Sequence, residues 1–151
     1  MDETHLMDKT HRSAGPAAVI RRLERATNER DLEALVACFA SDYRNETPAH
    51  PQRGFTGRDQ VRVNWSQIFA AIPDLRCEVL ACAVEGSTVW SEWEHRGTRP
   101  DGTPHLMRGV IVMGVTDGVI AWARFYLEPV QAQGGTVDQA VRQQVMPGVR
   151  S

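Results

Sequence analysis

The stretch from Thr88 to Leu127 leaves this chain few ways to fold. It reads as three long strands joined by two tight turns. The first, TVWSEWEHRGT, stops at Arg99-Pro100-Asp101-Gly102, where proline presets one turn position and glycine takes the strained one. The second, PHLMRGVIVMGV, stops at Thr116-Asp117-Gly118, and Asp-Gly between apolar runs is a strong hairpin signal. The third is VIAWARFYLEP. All three are rich in the β-branched and aromatic residues that suit a pleated surface. Side chains alternate across a strand. Val89, Ser91, Trp93, His95 and Gly97 therefore share one face, and Thr88, Trp90, Glu92, Glu94 and Arg96 the other. On the third strand Ala121, Ala123, Phe125 and Leu127 oppose Trp122, Arg124, Tyr126 and Glu128. Both faces carry large apolar groups, so the chain's helices are expected to cover one. The other, with Trp90, Val110, Val112, Trp122 and Tyr126, is too apolar for open water, and a homodimer packed sheet against sheet is expected.

The 151 residues suffice for one domain with a single core. A net charge of −2, without blocks of one sign, gives no footprint for nucleic acid or a membrane surface. No apolar run approaches the ~20 residues of a spanning helix. The polar start MDETHLMDKTHRSAG has no secretory core segment, and a cytoplasmic protein is expected. Cys38, Cys77 and Cys82 form no Cys-x-x-Cys pair and read as small buried hydrophobes.

Residues 1–14 read as a disordered tail, 15–130 as the domain, and 131–151 as a tail with a short helix, VDQAVRQQV. A first helix starts near Pro16, with Val19, Leu23 and Ala26 on one face. Asp31 caps a second, whose stripe is Leu32, Leu35, Val36 and Phe39. A short strand, Tyr43 to Thr47, and a loop rich in proline and glycine follow. A third helix, about Arg58 to Ile72, is capped by Thr56 or Gly57 and carries Val61, Trp65, Ile68, Phe69 and Ile72 as a wide apolar stripe. A fourth long strand, LRCEVLACAV, leads into the meander. Helices first and strands after give an α+β fold: a cone-shaped barrel of curved antiparallel sheet wrapped around about three N-terminal helices, with a cavity at its open end that suits a small molecule.

This order, with the words ATNERDLEALVACFASDYRNETP, GFTGRDQVRVNWSQIF and GVIVMGVTDGVIAWARFYLE, resembles the SnoaL-like group of the nuclear transport factor 2-like superfamily from roughly Pro16 to Val130. The group contains polyketide cyclases, ketosteroid isomerases, limonene-epoxide-type hydrolases and domains that only bind or dimerise, and the fold does not choose among them. The positions matching the isomerase's tyrosine, base and second acid hold Leu23, Thr47 and Gly109 or Ile111, so that mechanism does not carry over. Tyr43-x-Asn45 resembles a word shared by the cyclases and the epoxide hydrolases. The cyclases' aspartate after an arginine is here Phe125 after Arg124, and the hydrolases' Asp-Arg-Asp positions hold Trp93, His95 and Phe125.

One ionisable side chain is left facing the expected cavity, His95, able to give or take a proton near neutrality. Tyr43 could donate to an oxygen gaining charge, and Asn45 could orient a hydroxyl or water. These are the candidate catalytic residues; Trp65, Phe69, Trp93, Met107, Phe125 and Leu127, with Ile68, are the candidate substrate wall. Gly97 and Gly109 would leave room. A register one residue off would put Glu94 in the cavity in place of His95. Arg124 and Glu128 are expected to salt-bridge at the surface or rim. His50 and His105 are expected at the surface, and His50, His95 and His105 lack metal-ligand spacing, so neither metal nor cofactor is expected. The resemblance thus implies a cofactor-free enzyme doing acid–base cyclisation, isomerisation, hydration or dehydration, or epoxide opening, on a hydrophobic polyketide- or terpenoid-like molecule. The alternative is a non-catalytic small-molecule-binding or dimerisation module.

Overall fold

The computed structural model describes residues 15–146. The tail expected over residues 1–14 lies outside them. Four α-helices and six strands follow one another as α1 (Gly15–Asn28), α2 (Leu32–Ala37), β1 (Phe39–Glu46), a 3-10 turn (Pro51–Arg53), β2 (Phe55–Thr56), α3 (Arg58–Ala71), β3 (Arg76–Glu85), β4 (Thr88–Thr98), β5 (Pro104–Thr116), β6 (Val119–Pro129) and α4 (Val137–Val145). The fold is α+β, and the strands make one open, curved sheet in the order β2-β1-β6-β5-β4-β3.

The meander forms as the turns dictate. Asp117 and Gly118 both take positive φ, 53° and 76°, which a two-residue hairpin requires. At the other turn Gly102 takes φ 85°, and Asp101 Oδ1 accepts hydrogen bonds from the Thr103 N–H and hydroxyl at 3.0 and 2.6 Å. Register then runs His95 against Met107 and Ile111 against Phe125.

Three features differ from the sequence reading. β1 begins at Phe39, because α2 is only six residues long and releases the chain early. β1 also pairs parallel with β6, in a sheet otherwise antiparallel; the long excursion between them allows the crossover a parallel pair needs. Inside the loop expected before α3, Phe55 and Thr56 form the edge strand β2, with Asn45 opposite Phe55.

The core lies between the inner sheet face and the helices. Val19, Ile20, Leu23 and Ala26 of α1 and Leu35 and Val36 of α2 meet Phe39, Tyr43, Val89, Trp93, Ile111, Met113 and Ile120. α1 also closes the free edge of β3. Asn28 receives the Cys77 N–H and donates to the Cys77 carbonyl, at 2.8 and 2.9 Å, and a Glu24 oxygen accepts the Val79 N–H at 2.6 Å. Side chains here supply the hydrogen bonds that another strand would make, which blunts the edge. Arg30, at φ 58° in the turn between α1 and α2, donates to the Phe69 and Ile72 carbonyls at 2.8 and 3.1 Å and caps the end of α3. α3 itself is only loosely seated. Val61 is its one buried residue, and Trp65, Ile68 and Phe69 are half-buried.

The glycines expected to open the interior do the opposite. A Cβ on Gly97 would meet the Ile72 side chain, and one on Gly109 would meet the Tyr126 carbonyl and lie 2.9 Å from the Leu127 Cα. Gly109 also sits at φ 153°. It permits backbone to approach backbone where β5 and β6 cross most closely. Gly109→Ala is therefore expected to destabilise the fold by about 2 kcal/mol or more, read as a lowered midpoint of urea unfolding. An unchanged midpoint would show that the approach is not tight.

Candidate active site

The loose seating of α3 leaves a cavity of about 310 Å³ between that helix and the inner sheet face, at the lower end of the range for small-molecule sites. Alternation on β1 points Tyr43 and Asn45 into it, and Thr47, just past the end of the strand, lines it as well. β4 contributes His95, β5 His105 and Met107, and β6 Phe125 and Leu127. α3 forms the opposite wall with Val61, Asn64, Trp65 and Ile68, and Arg53 and Phe55 close one end. The cavity thus brings together Tyr43, Asn45 and His95 with Trp65, Met107, Phe125 and Leu127.

Two expected wall residues lie elsewhere. Trp93 is 2% exposed. Its indole N–H donates to Ser91 Oγ at 2.8 Å, and Ser91 in turn donates to the Ile111 carbonyl at 2.8 Å. A buried indole goes where its N–H finds an acceptor, so Trp93 belongs to the core beneath the cavity. Phe69 lies one turn beyond Trp65 on the same face of α3, past the end of the cavity, against the Trp65 ring and under the Arg30 guanidinium at 4.8 Å.

His95 is 8% exposed and sits edge-on to Trp93, with Trp65 6.1 Å away. Among the described residues, no hydrogen bond ties its ring to backbone or side chain. Burial, helped by His105 nearby, lowers its pKa to about 4. The imidazole is therefore neutral at physiological pH and can accept a proton, whereas the imidazolium is scarcely populated. Tyr43 is 1% exposed, and burial pushes its phenol far above the ordinary range. Its hydroxyl donates to Asn45 Oδ1 at 2.8 Å. Tyr43 thus holds Asn45 with its amide N–H₂ free to face a ligand, rather than spending its own proton on that ligand.

Glu94 points to the outer face, as the alternation requires, but it is not in solvent. At 5% exposed it lies between Arg108, whose Nε donates to it at 2.6 Å, and Arg96. Arg124 and Glu128 do not pair. Arg124 stacks over the Trp122 ring, and Glu128 binds His50 at 2.9 Å. His105, expected at the surface, is half-buried and lines the cavity; its burial lowers its pKa, with Arg99 adding to the shift. Sequence reasoning also missed Arg53 and Asn64. The period-two pattern of PHLM, which places His105 on the face of Met107, could have found His105, and the helical spacing Val61-Asn64-Trp65-Ile68 could have found Asn64; nothing local marks Arg53. Among the described residues no three His, Cys, Asp or Glu side chains converge as a metal site would need.

The His95 shift links stability to pH. The unfolded chain takes up the imidazole proton near 6.5 and the folded chain only near 4. Between those values the unfolded state binds more protons, so the contribution is complete above 6.5 and is lost as pH falls through the window, by roughly 3 kcal/mol in full. Unfolding free energy is expected to drop on acidification across this window, and less steeply in His95→Gln. Equal slopes in the two proteins would show that His95 is not held neutral by burial.

The SnoaL-like domain family matches residues 20–123. Among solved structures, IdmH from Streptomyces antibioticus, a candidate polyketide cyclase, is 25% identical with a TM-score of 0.66, covering 75% of this chain and 91% of its own. AclR from Streptomyces galilaeus, a candidate hydroxylase, is 18% identical with a TM-score of 0.65, over 75% and 88%. An epoxide hydrolase of limonene-epoxide-hydrolase type from M. tuberculosis is 14% identical with a TM-score of 0.65, over 75% and 82%. The latter two share the fold. No curated protein matches the sequence.

Proposed function

The chain belongs to the SnoaL-like domain family, and from that premise we propose that its cavity performs cofactor-free acid–base chemistry on a hydrophobic, oxygenated small molecule of polyketide or terpenoid type. The observation that carries the reading is that an untethered, neutral His95 and a pre-oriented Asn45 face one apolar cavity. His95 takes a proton from a carbon acid, a hydroxyl or an attacking water. Negative charge then builds on a substrate oxygen, which the Asn45 amide N–H₂ stabilises, with Tyr43 fixing that amide. Donors placed before reaction in a water-poor site need no reorganisation as charge develops. Cyclisation, isomerisation, hydration and epoxide opening all fit these steps.

A binding module without chemistry is the second reading. What favours it is that no carboxylate lines the cavity, whereas the related isomerases and epoxide hydrolases rely on carboxylates. Turnover separates the two. With a panel of enones and epoxides of polyketide and terpenoid type followed by mass spectrometry, His95→Ala is expected to lower turnover by at least ~100-fold, the usual worth of a general base, with the native fold retained by circular dichroism. Unchanged turnover removes His95 from the mechanism, and absence of any turnover by the native protein favours the binding module.

The protein is further proposed to work as a homodimer through the outer sheet face, where Trp90 and Tyr126 remain 47% and 43% exposed. No described helix is long and apolar enough to cross a membrane; a cytoplasmic location is part of the same proposal. Gel filtration is expected to give twice the chain mass and Trp90→Glu to halve it. A native monomer would rule the dimer out.

A further inference from the structure

The polar groups of the cavity are unequal in kind. Its two side-chain amide oxygens are already occupied: Asn45 Oδ1 accepts from Tyr43 at 2.8 Å, and Asn64 Oδ1 accepts from Gln60 at 2.8 Å. What those residues present to a ligand is their N–H₂ groups. No aspartate or glutamate lines the cavity, while Arg53 does. Arg53 ends the 3-10 turn two residues before Phe55, the strand partner of Asn45. That turn folds back on β1, since a Cβ on Gly54 would lie 3.2 Å from the Asn45 carbonyl. Arg53 therefore stands at the Asn45 end of the cavity. The acids next to the cavity residues there are engaged elsewhere: Glu128, beside Leu127, binds His50 at 2.9 Å, and Glu46, beside Asn45, binds Arg44 at 3.2 Å. Among the described residues no carboxylate pairs with Arg53.

We propose that the cavity selects amphiphilic acids: an apolar body against Trp65, Ile68, Phe125 and Leu127, with an oxygen anion held by Arg53 beside the Asn45 amide. The inference rests on the reading of this cavity as a small-molecule site and names the class of molecule it takes. A guanidinium offers a carboxylate two parallel N–H donors, a geometry no other cavity residue matches. An amine would meet a fixed positive charge and find no counter-ion. A neutral alcohol would fill the apolar part and leave the guanidinium to water.

The experiment compares three probes of one shape, 2-naphthoate, 2-naphthylmethanol and 2-naphthylmethylamine, by calorimetry and quenching of tryptophan fluorescence with the full chain. The acid is expected to bind about 10-fold more tightly than the alcohol, as a charge-assisted hydrogen bond provides, with the amine weakest. The acid's advantage should shrink as salt is added. Arg53→Gln, a change at an exposed turn, should bring the acid down to the alcohol and leave the alcohol where it was. An amine that binds as well as the acid, or an acid preference that survives Arg53→Gln, overturns this inference alone. Failure of all three probes to bind overturns the small-molecule site itself, and the inference with it. Because binding is measured without turnover, an acid preference in a protein with no activity would sink the catalytic reading and leave this one standing.

Discussion

Everything at the site depends on which of two neighbours on β4 faces inward. Glu94 and His95 are both buried, at 5% and 8% exposed, on opposite faces of the sheet. A slip of one residue would turn Glu94 and Arg96 inward, toward Trp65, Phe125 and Leu127 and away from Arg108, and would turn the imidazole outward. Taking charged groups into an apolar interior with one partner lost costs several kcal/mol, so the slipped register is strongly disfavoured. The outer clamp on Glu94 by two guanidiniums thereby fixes the inner position of His95. The clamp adds less to stability than its short contacts suggest, because Arg96 and Arg108 are 62% and 56% exposed and water screens them. Its consequence is specificity of pairing.

The same alternation explains how much of this could be read from the chain. Turn chemistry at Asp101-Gly102 and Asp117-Gly118 and period two along the strands are local signals: they carried the meander and the inward face of His95, and alternation in the separate word Tyr43-x-Asn45 put those two residues on one face. The family resemblance, in turn, rested on that element order. What stayed hidden was set by contacts distant in sequence. Trp93 reads as cavity wall until Ser91 and the Ile111 carbonyl claim its indole N–H. Phe69 reads as wall, yet one turn beyond Trp65 it packs under Arg30, 39 residues away, past the end of the cavity. β2 has only two residues, too few for any pattern, and it exists because Asn45 pairs with Phe55. Arg53 reaches the cavity through that pairing alone.

Burial has opposite consequences for the two titratable groups brought to the cavity. It holds the Tyr43 phenol protonated and the His95 imidazole unprotonated, because in each case the neutral form is favoured away from water. The resting site therefore carries no charge of its own at its centre and has one cation, Arg53, at its end. Related sites with carboxylate bases begin with a negative charge and repel an anion. This one starts with donors and a neutral acceptor, an arrangement matched to a transition state in which charge grows on the ligand rather than on the protein. On the proposed acid–base reading, a base with a pKa near 4 is weak, so a substrate would have to supply an acidic proton or an activated electrophile, as an enone or epoxide conjugated to other oxygens does.

The outer face covers part of its apolar surface with its own side chains. Trp122 lies across Gly114, where any side chain would strike the indole, and Arg124 lies across Trp122 in turn. Val112, which reads as part of an open apolar patch, is fully buried. Long charged side chains have laid their stems over the apolar residues beside them, and the exposed remainder is concentrated at Trp90 and Tyr126. Two aromatics that their own chain leaves uncovered, Trp90 on β4 and Tyr126 on β6 with β5 between them, form an apolar anchor beside the arginine-covered Trp122. That is the composition expected at the centre of a specific interface rather than of a sticky surface. Because β4, β5 and β6 present one face to this anchor and the other to the cavity, a second copy seated on Trp90 and Tyr126 would brace the strands that hold His95, Met107 and Phe125. Association and the shape of the cavity would then be coupled through the sheet itself.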